Sequence, residues 1–109
     1  MADTTIVLYG MRVEISADEL DILESRKHPL QIVAKKVGLE SYWGNFATPN
    51  EKYLLFIGKL IGKLGVEDLK EIQIHEEKFA KIAKEVSAKL IDAGISHTAF
   101  LYLEHQPDQ

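Results

Sequence analysis

Two segments of the sequence have the pattern of β-strands that are apolar on both sides, and this constrains the fold more than any other feature. They are Thr5–Ile15 and Lys52–Ile61. The second segment could also be a helix, but its composition, rich in residues that favour strands, and its position after a turn favour a strand. Because successive strand side chains point to opposite faces, both faces of each segment need a covering surface. We therefore expect each to be a central strand of a sheet, or to meet a partner with its second face. In the first segment, Val7 and Tyr9 lie on one face and Ile6 and Leu8 on the other. In the second, Leu54 and Phe56 lie on one face and Leu55 and Ile57 on the other.

A helix that is broken in its middle is expected over residues 16–38. Ser16 and Glu19 have the spacing of a capping box, in which each side chain accepts a hydrogen bond from the other's backbone amide. Pro29 interrupts the helix, because its ring has no amide donor and disfavours helical geometry at the preceding residue. Since proline is tolerated in a first turn, a second helix begins there and ends at Gly38.

The remaining segments complete an alternation of strands and helices. Residues 39–46 and 98–105 have strand patterns, and a turn at 48–51 joins the second and third strands as a hairpin. Residues 76–93 carry a continuous apolar stripe at helical spacing and are predicted to form a helix. A short additional strand is expected near 71–74.

The predicted order is strand, broken helix, strand, strand, helix, strand. It matches the ferredoxin-like βαββαβ arrangement, an α+β fold in which an antiparallel sheet carries its helices on one face. The first and third strands are central in that arrangement, in agreement with the two-sided apolar segments. A chain of this length buries about 65% of its unfolded surface, so residues 1–109 are expected to form a single domain. An apolar open sheet face marks an interface, and we therefore expect a homodimer.

The composition limits which cellular compartment and which kinds of chemical site the protein can have. Cysteine is absent, which excludes disulfides, thiolate metal sites and cysteine nucleophiles. The start of the sequence has no basic region, and its first apolar run is too short for a signal segment. No stretch approaches the roughly 20 apolar residues that a membrane span needs. A cytoplasmic protein without membrane contact is the simplest expectation.

The net charge of −4 conceals an uneven distribution. Residues 1–25 hold six acids and one base, residues 26–65 seven bases and two acids, and residues 66–109 nine acids and five bases. The basic middle also contains five of the nine aromatic residues, a combination that suits nucleic acid. The chain as a whole is acidic, however, and lacks the aromatic-glycine signature of RNA-recognition strands. Nucleic-acid binding is therefore the weakest of the functional hypotheses.

The glycine-lysine run and the four histidines bear on whether the chain binds phosphate or a metal ion. The glycine-lysine run over residues 58–65 lacks the spacing of a phosphate-binding loop and the hydroxyl that would follow it, so its glycines are expected to bend a strand. The four histidines lack the short spacings of metal ligands. We therefore predict neither a metal nor a cofactor.

Two segments are the best candidates for a small-molecule site. One is residues 26–28 at the helix break, and the other is residues 41–46, in which Trp, Asn and Gly rarely coincide through core packing alone. The competing structural interpretation makes Trp43 a core anchor and Gly44 and Asn45 a bulge. The candidate ligand-binding residues are Arg26, His28, Tyr42, Trp43, Asn45 and Lys59.

Three functional hypotheses follow from these patterns. The first is a small non-enzymatic binding or interaction module that self-associates through its sheet face, with a contact surface extended by residues 41–63. The second is a small enzyme or ligand-binding protein that acts on an anionic metabolite at a cleft near Arg26, His28, Tyr42 and Trp43. The third is weak binding of RNA or single-stranded DNA. The sequence leaves open whether the protein catalyses a reaction.

Overall fold

A four-stranded antiparallel sheet is the frame of the protein in its computed structural model, which describes residues 4–44, 53–65 and 69–106. The strands are β1 (Thr4–Ile15), β2 (Glu40–Gly44), β3 (Tyr53–Gly65) and β4 (Phe100–Gln106), and the helices are α1 (Leu20–Glu24), α2 (Pro29–Val37) and α3 (Glu76–Asp92). The strands lie in the order β2-β3-β1-β4, so β1 and β3 are central and β2 and β4 are edges.

The chain is an α+β protein with an open antiparallel sheet, as the sequence predicts. The segment that follows the predicted turn is a strand and not a helix. A 3-10 turn at Ala17–Glu19, capped by the Ser16 hydroxyl, leads into α1, and the helix break is followed by α2, which begins at Pro29. The turn predicted at 48–51 lies outside the described residues.

The prediction of a short strand near 71–74 is wrong. Within residues 69–75 the structure has one isolated bridge and no strand. The alternating exposure of this segment arises because Ile72 packs against the sheet at Gly62, where a Cβ atom would lie 2.8 Å from the Ile72 Cδ1 atom. The pattern is therefore that of a segment lying on the sheet.

The larger hydrophobic cluster lies between the helices and one face of the sheet. Alternate residues of β1 and β3 point into it, and the ring of Tyr9 meets that of Phe79 edge-on with centroids 5.4 Å apart. Each large side chain that is fully buried contributes about 1.5–3 kcal/mol relative to an exposed one. The buried members are Met11, Ile15, Leu23, Ala34, Leu39, Leu55, Ile57, Val86, Leu90 and Ile95.

The opposite face of the sheet holds a second cluster, whose members all come from strands. The ring of Tyr102 meets that of Phe56 edge-on at a centroid distance of 5.5 Å, and the Arg12 guanidinium lies 4.8 Å above the Tyr102 ring. Both Leu8 and Phe56 are fully buried. The buried members are Ile6, Leu8, Leu54 and Phe56, with Tyr42, Leu60 and Tyr102 packed against them.

A sharp bend of the two central strands explains how this second face is buried without a helix. Gly10 and Gly58 are paired across β1 and β3. A Cβ atom on Gly10 would lie 2.1 Å from the carbonyl oxygen of Ile57, and one on Gly58 would lie 2.2 Å from that of Tyr9. A register shift next to Leu8 adds a bulge, which increases the local twist. The two backbones therefore approach each other more closely than any residue with a side chain would allow.

The position of Arg12 indicates how strongly β1 curves. Its guanidinium forms an ion pair with Glu104, which lies opposite Ile6 of β1. The six residue-to-residue steps from Ile6 to Arg12 would span about 20 Å in a flat strand, which is beyond the combined reach of the two side chains. β1 must therefore curve between these residues, and the curve folds the apolar side chains of this face onto one another. Both faces of the two-sided strands are thus covered within one chain.

Replacing Gly58 with alanine should destabilise the protein by about 3 kcal/mol, because the new methyl group would overlap the Tyr9 carbonyl and force β1 and β3 apart. Urea denaturation followed by circular dichroism measures the loss. Gly94→Ala is the matched control: Gly94 has a φ of 75° with open space around it, so alanine there costs only left-handed backbone strain, about 1 kcal/mol. A loss at Gly58 no larger than the loss at Gly94 would contradict the bend.

Candidate functional site

A groove of about 780 Å³ lies between α2 and the edge strand β2. We call it the α2–β2 groove. It contains two of the ligand-binding residues predicted from the sequence, Arg26 and Tyr42. The complete lining is Arg26, Gln31, Ile32, Lys35, Lys36, Leu39, Glu40, Ser41 and Tyr42.

Arg26 reaches the groove from an unusual backbone conformation. Its φ angle is 58°, in the left-handed region that glycine normally occupies just after a helix. The end of α1 closes as a Schellman motif: the Lys27 amide donates to the Ile22 carbonyl at 3.0 Å, and the Arg26 amide donates to the Leu23 carbonyl at 3.1 Å. A residue with a side chain costs roughly 1–2 kcal/mol in this conformation. The fold therefore keeps a guanidinium where glycine would fit with less strain.

The Arg26 side chain connects the helix break to β2. Its Nη1 atom donates to Ser41 Oγ over a long distance of 3.4 Å. Burial and the Glu40 carboxylate raise the pKa of the neighbouring Tyr42 phenol, and the charge of Arg26 partly offsets this rise. A tyrosine phenol is protonated at neutral pH and the raised pKa favours that form further, so the Tyr42 hydroxyl can donate a hydrogen bond.

The groove carries a net positive charge. Besides Arg26, its cations are Lys35 and Lys36, which lie in the last turn of α2, where the helix dipole favours positive charge. The carboxylate in the lining, that of Glu40, accepts a hydrogen bond from the Leu60 amide at 2.7 Å. Three cations and one carboxylate give a net formal charge of +2, and this arrangement suits an anion.

His28 lies at the N-cap of α2 and is not among the lining residues of the groove. Its Nδ1 atom accepts a hydrogen bond from the Leu30 amide at 3.2 Å, and its own amide donates to Gln31 Oε1 at 3.1 Å. These two bonds form a capping box. Gln31 also donates through Nε2 to the Leu23 carbonyl at 3.2 Å, which joins α2 to α1. The side chains of His28 and buried Gln31 therefore hold the helix break together.

The other predicted ligand-binding residues lie apart from the groove. Trp43 alternates with Tyr42 along β2 and packs on the helix-covered face, where its ring meets that of Tyr53 at a centroid distance of 5.9 Å. Lys59 lines a separate cavity of about 150 Å³, beside residues of α3. Asn45 lies outside the described residues. The structure thus brings together Arg26 and Tyr42, and it places His28, Trp43 and Lys59 elsewhere.

Most of the groove lining, including Ile32, Lys36 and Leu39, lies outside the candidate residues predicted from the sequence. Together with Lys35, these three residues follow the helical spacing i, i+3, i+4, i+7, so the helix period predicts that they share one side of α2 and of the residues just after it. The spacing was therefore present in the sequence. What it could not indicate was that this side of α2 lies next to β2, because that contact depends on the tertiary structure.

Comparison with known proteins does not assign a family. No protein-family model, curated protein or solved structure matches the chain. Within residues 4–44, 53–65 and 69–106, no helix combines the length and the apolarity that crossing a membrane would require. In the same part of the chain, no three histidine, aspartate or glutamate side chains are grouped in a way that could hold a metal ion.

The strain at Arg26 can be measured by comparing two variants. Arg26→Gly should raise the free energy of unfolding by about 1 kcal/mol, because glycine adopts a φ of 58° without strain. Arg26→Ala should not raise it, since alanine keeps the Cβ atom that causes the strain. Urea denaturation of both variants makes the comparison. Equal stabilities for the glycine and alanine variants would show that the left-handed conformation costs the fold nothing.

Proposed function

We propose that the protein is a small non-enzymatic interaction module that associates with a second copy of itself through the edge strand β4. The observation that carries this proposal is the exposure of three large apolar side chains on one short strand. Phe100, Leu101 and Leu103 are 56%, 46% and 60% exposed. Leu101 and Leu103 lie on one face of β4 and Phe100 on the other, so apolar side chains flank the strand on both sides. Exposed apolar side chains that are close together on a monomer commonly mark a site of protein association.

The backbone of β4 can also accept another strand. β4 lies at the edge of the sheet and pairs with β1 on one side. Unpaired amides and carbonyls along such an edge favour the addition of a strand, and proline or lysine often protects natural edges. The segment Phe100–Gln106 contains neither residue, and the carboxylate of Glu104 within it is engaged by Arg12. Among the described residues, β4 has a strand neighbour on one side alone, and its composition favours the addition of another strand.

A second copy fits β4 in an antiparallel register centred on Tyr102. In this register Leu101 lies opposite Leu103 of the second copy, and Phe100 lies opposite its Glu104. Apolar side chains then face each other on the helix-covered side, and like charges are not opposed. The pairing would join the two sheets into one continuous sheet of twice the width.

This interface is narrower than the sheet face expected from the sequence. The central apolar residues of that face, Leu8 and Phe56, are already buried by the bend. The basic, aromatic segment 41–63 is also divided, since Tyr42 and Trp43 pack on opposite faces of the sheet. Binding of single-stranded nucleic acid needs rings and cations along one surface, so this division disfavours the nucleic-acid hypothesis.

The proposal also includes a specific fold arrangement and a cellular location. The ferredoxin-like βαββαβ arrangement is supported by the element order and by the sheet order β2-β3-β1-β4 with antiparallel neighbours. A cytoplasmic location is kept as a prediction from the sequence. Neither feature is needed for the β4 interface, which depends on exposure and edge geometry.

Leu103→Lys should convert the dimer to a monomer, because two ammonium groups would be buried near the centre of the β4 interface and would repel each other. Size-exclusion chromatography with light scattering over a range of concentrations measures the mass. Ile22→Lys is the matched control. Ile22 is an apolar residue that is 41% exposed, and it lies on α1, which follows the part of β1 that pairs with β4 and is not part of the proposed interface. A wild-type protein that stays monomeric at high concentration, or a dimer that both variants leave intact, would refute the proposal.

A further inference from the structure

We propose that the α2–β2 groove binds an organic phosphate monoester. The phosphate group is held by the cations of Arg26, Lys35 and Lys36, and the organic group packs on the apolar wall beside them. The groove borders β2, at the opposite edge of the sheet from β4. The site is therefore separate from the proposed dimer interface, and either proposal can fail without the other.

The charge of the groove matches that of a phosphate monoester. Its net formal charge is +2, and a phosphate monoester carries about −1.5 to −2 near neutral pH. The Glu40 carboxylate is occupied by the Leu60 amide, 2.7 Å away, which limits its repulsion of an anion. An arginine can bind two phosphate oxygens with its planar fork, whereas lysines act as point charges. The three cations can therefore share one dianionic group.

Arg26 is the residue that points to a ligand. The helix dipole by itself explains Lys35 and Lys36 at the end of α2. It does not explain Arg26, which lies on a different segment and holds a left-handed backbone with a φ of 58°. Strain of this kind is concentrated at functional sites, where a side chain is kept for what it binds. The 3.4 Å hydrogen bond from Arg26 to Ser41 is long, and a phosphate oxygen can replace it.

The apolar wall of the groove favours an organic ligand over inorganic phosphate. Ile32 is 45% exposed, and it lines the groove together with Leu39. Covering the exposed Ile32 side chain with an organic group removes apolar surface from water, a gain that inorganic phosphate cannot provide. The protonated hydroxyl of Tyr42 lies in the same lining and can donate to a phosphate oxygen.

Phenyl phosphate is the probe for this site, because it joins a dianionic phosphate to a compact apolar ring. Titration of the ¹⁵N-labelled full chain at low salt should shift the amide resonances of groove residues, with saturation below about 10 mM. Inorganic phosphate and the monoanion benzoate should each bind about tenfold more weakly, since one lacks the ring and the other lacks the second charge. The affinity for phenyl phosphate should also fall as the salt concentration rises.

Arg26→Gly separates binding from folding, because glycine relieves the backbone strain while it removes the guanidinium. It should weaken phenyl phosphate binding by about tenfold or more. Lys84→Ala is the matched control: it removes an exposed cation from α3, outside the groove lining, and should leave the affinity within about twofold. An unchanged affinity in Arg26→Gly, an equal loss in Lys84→Ala, or saturable shifts outside the groove would overturn the proposal. Binding of inorganic phosphate as tight as that of phenyl phosphate would overturn the role of the apolar wall.

Discussion

The close approach of two backbones at Gly10 and Gly58 is the contact on which the rest of the structure depends. Neither position has room for a Cβ atom, because one on Gly10 would lie 2.1 Å, and one on Gly58 2.2 Å, from a carbonyl oxygen of the other strand. The central strands therefore bend toward the face without helices. That bend brings Arg12 to Glu104 and places Tyr102 against Phe56, which closes the second hydrophobic cluster. In the described part of the chain, one sheet thus carries a hydrophobic cluster on each of its faces.

Both faces of the sheet carry a hydrophobic cluster, and the two proposed binding surfaces lie at its edges, which differ in chemistry. β4 presents Phe100, Leu101 and Leu103, which suit a second apolar strand. β2 borders a groove with a net charge of +2, which suits an anion. Self-association and ligand binding are therefore proposed at opposite edges of the sheet. A dimer through β4 would leave both copies of the groove accessible.

The break between α1 and α2 illustrates how a local signal positions a distant side chain. Pro29 can begin a helix, and His28 caps it through a box shared with Gln31, so the direction of α2 is set within a few residues. The preceding turn closes as a Schellman motif with Arg26 in the left-handed position. That geometry carries the guanidinium from the end of α1 to Ser41 of β2. The strain at Arg26 is the cost of this placement, and α2 supplies the remaining cations.

The sequence by itself determined most elements of this fold, because periodicity, proline and glycine act over a few residues. The strand expected near 71–74 is the exception, since that segment packs on the sheet instead. The sequence predicted the α+β class, the strand character of the segment beginning near Tyr53, and the break at Pro29. Alternation shows which side chains share a face but not what covers that face. Only the tertiary structure decided that the bend buries Leu8 and Phe56 within one chain, that Arg26 and Tyr42 share a groove, and that Trp43 and Lys59 lie elsewhere. These outcomes depend on contacts between residues far apart in the sequence, which no local pattern encodes.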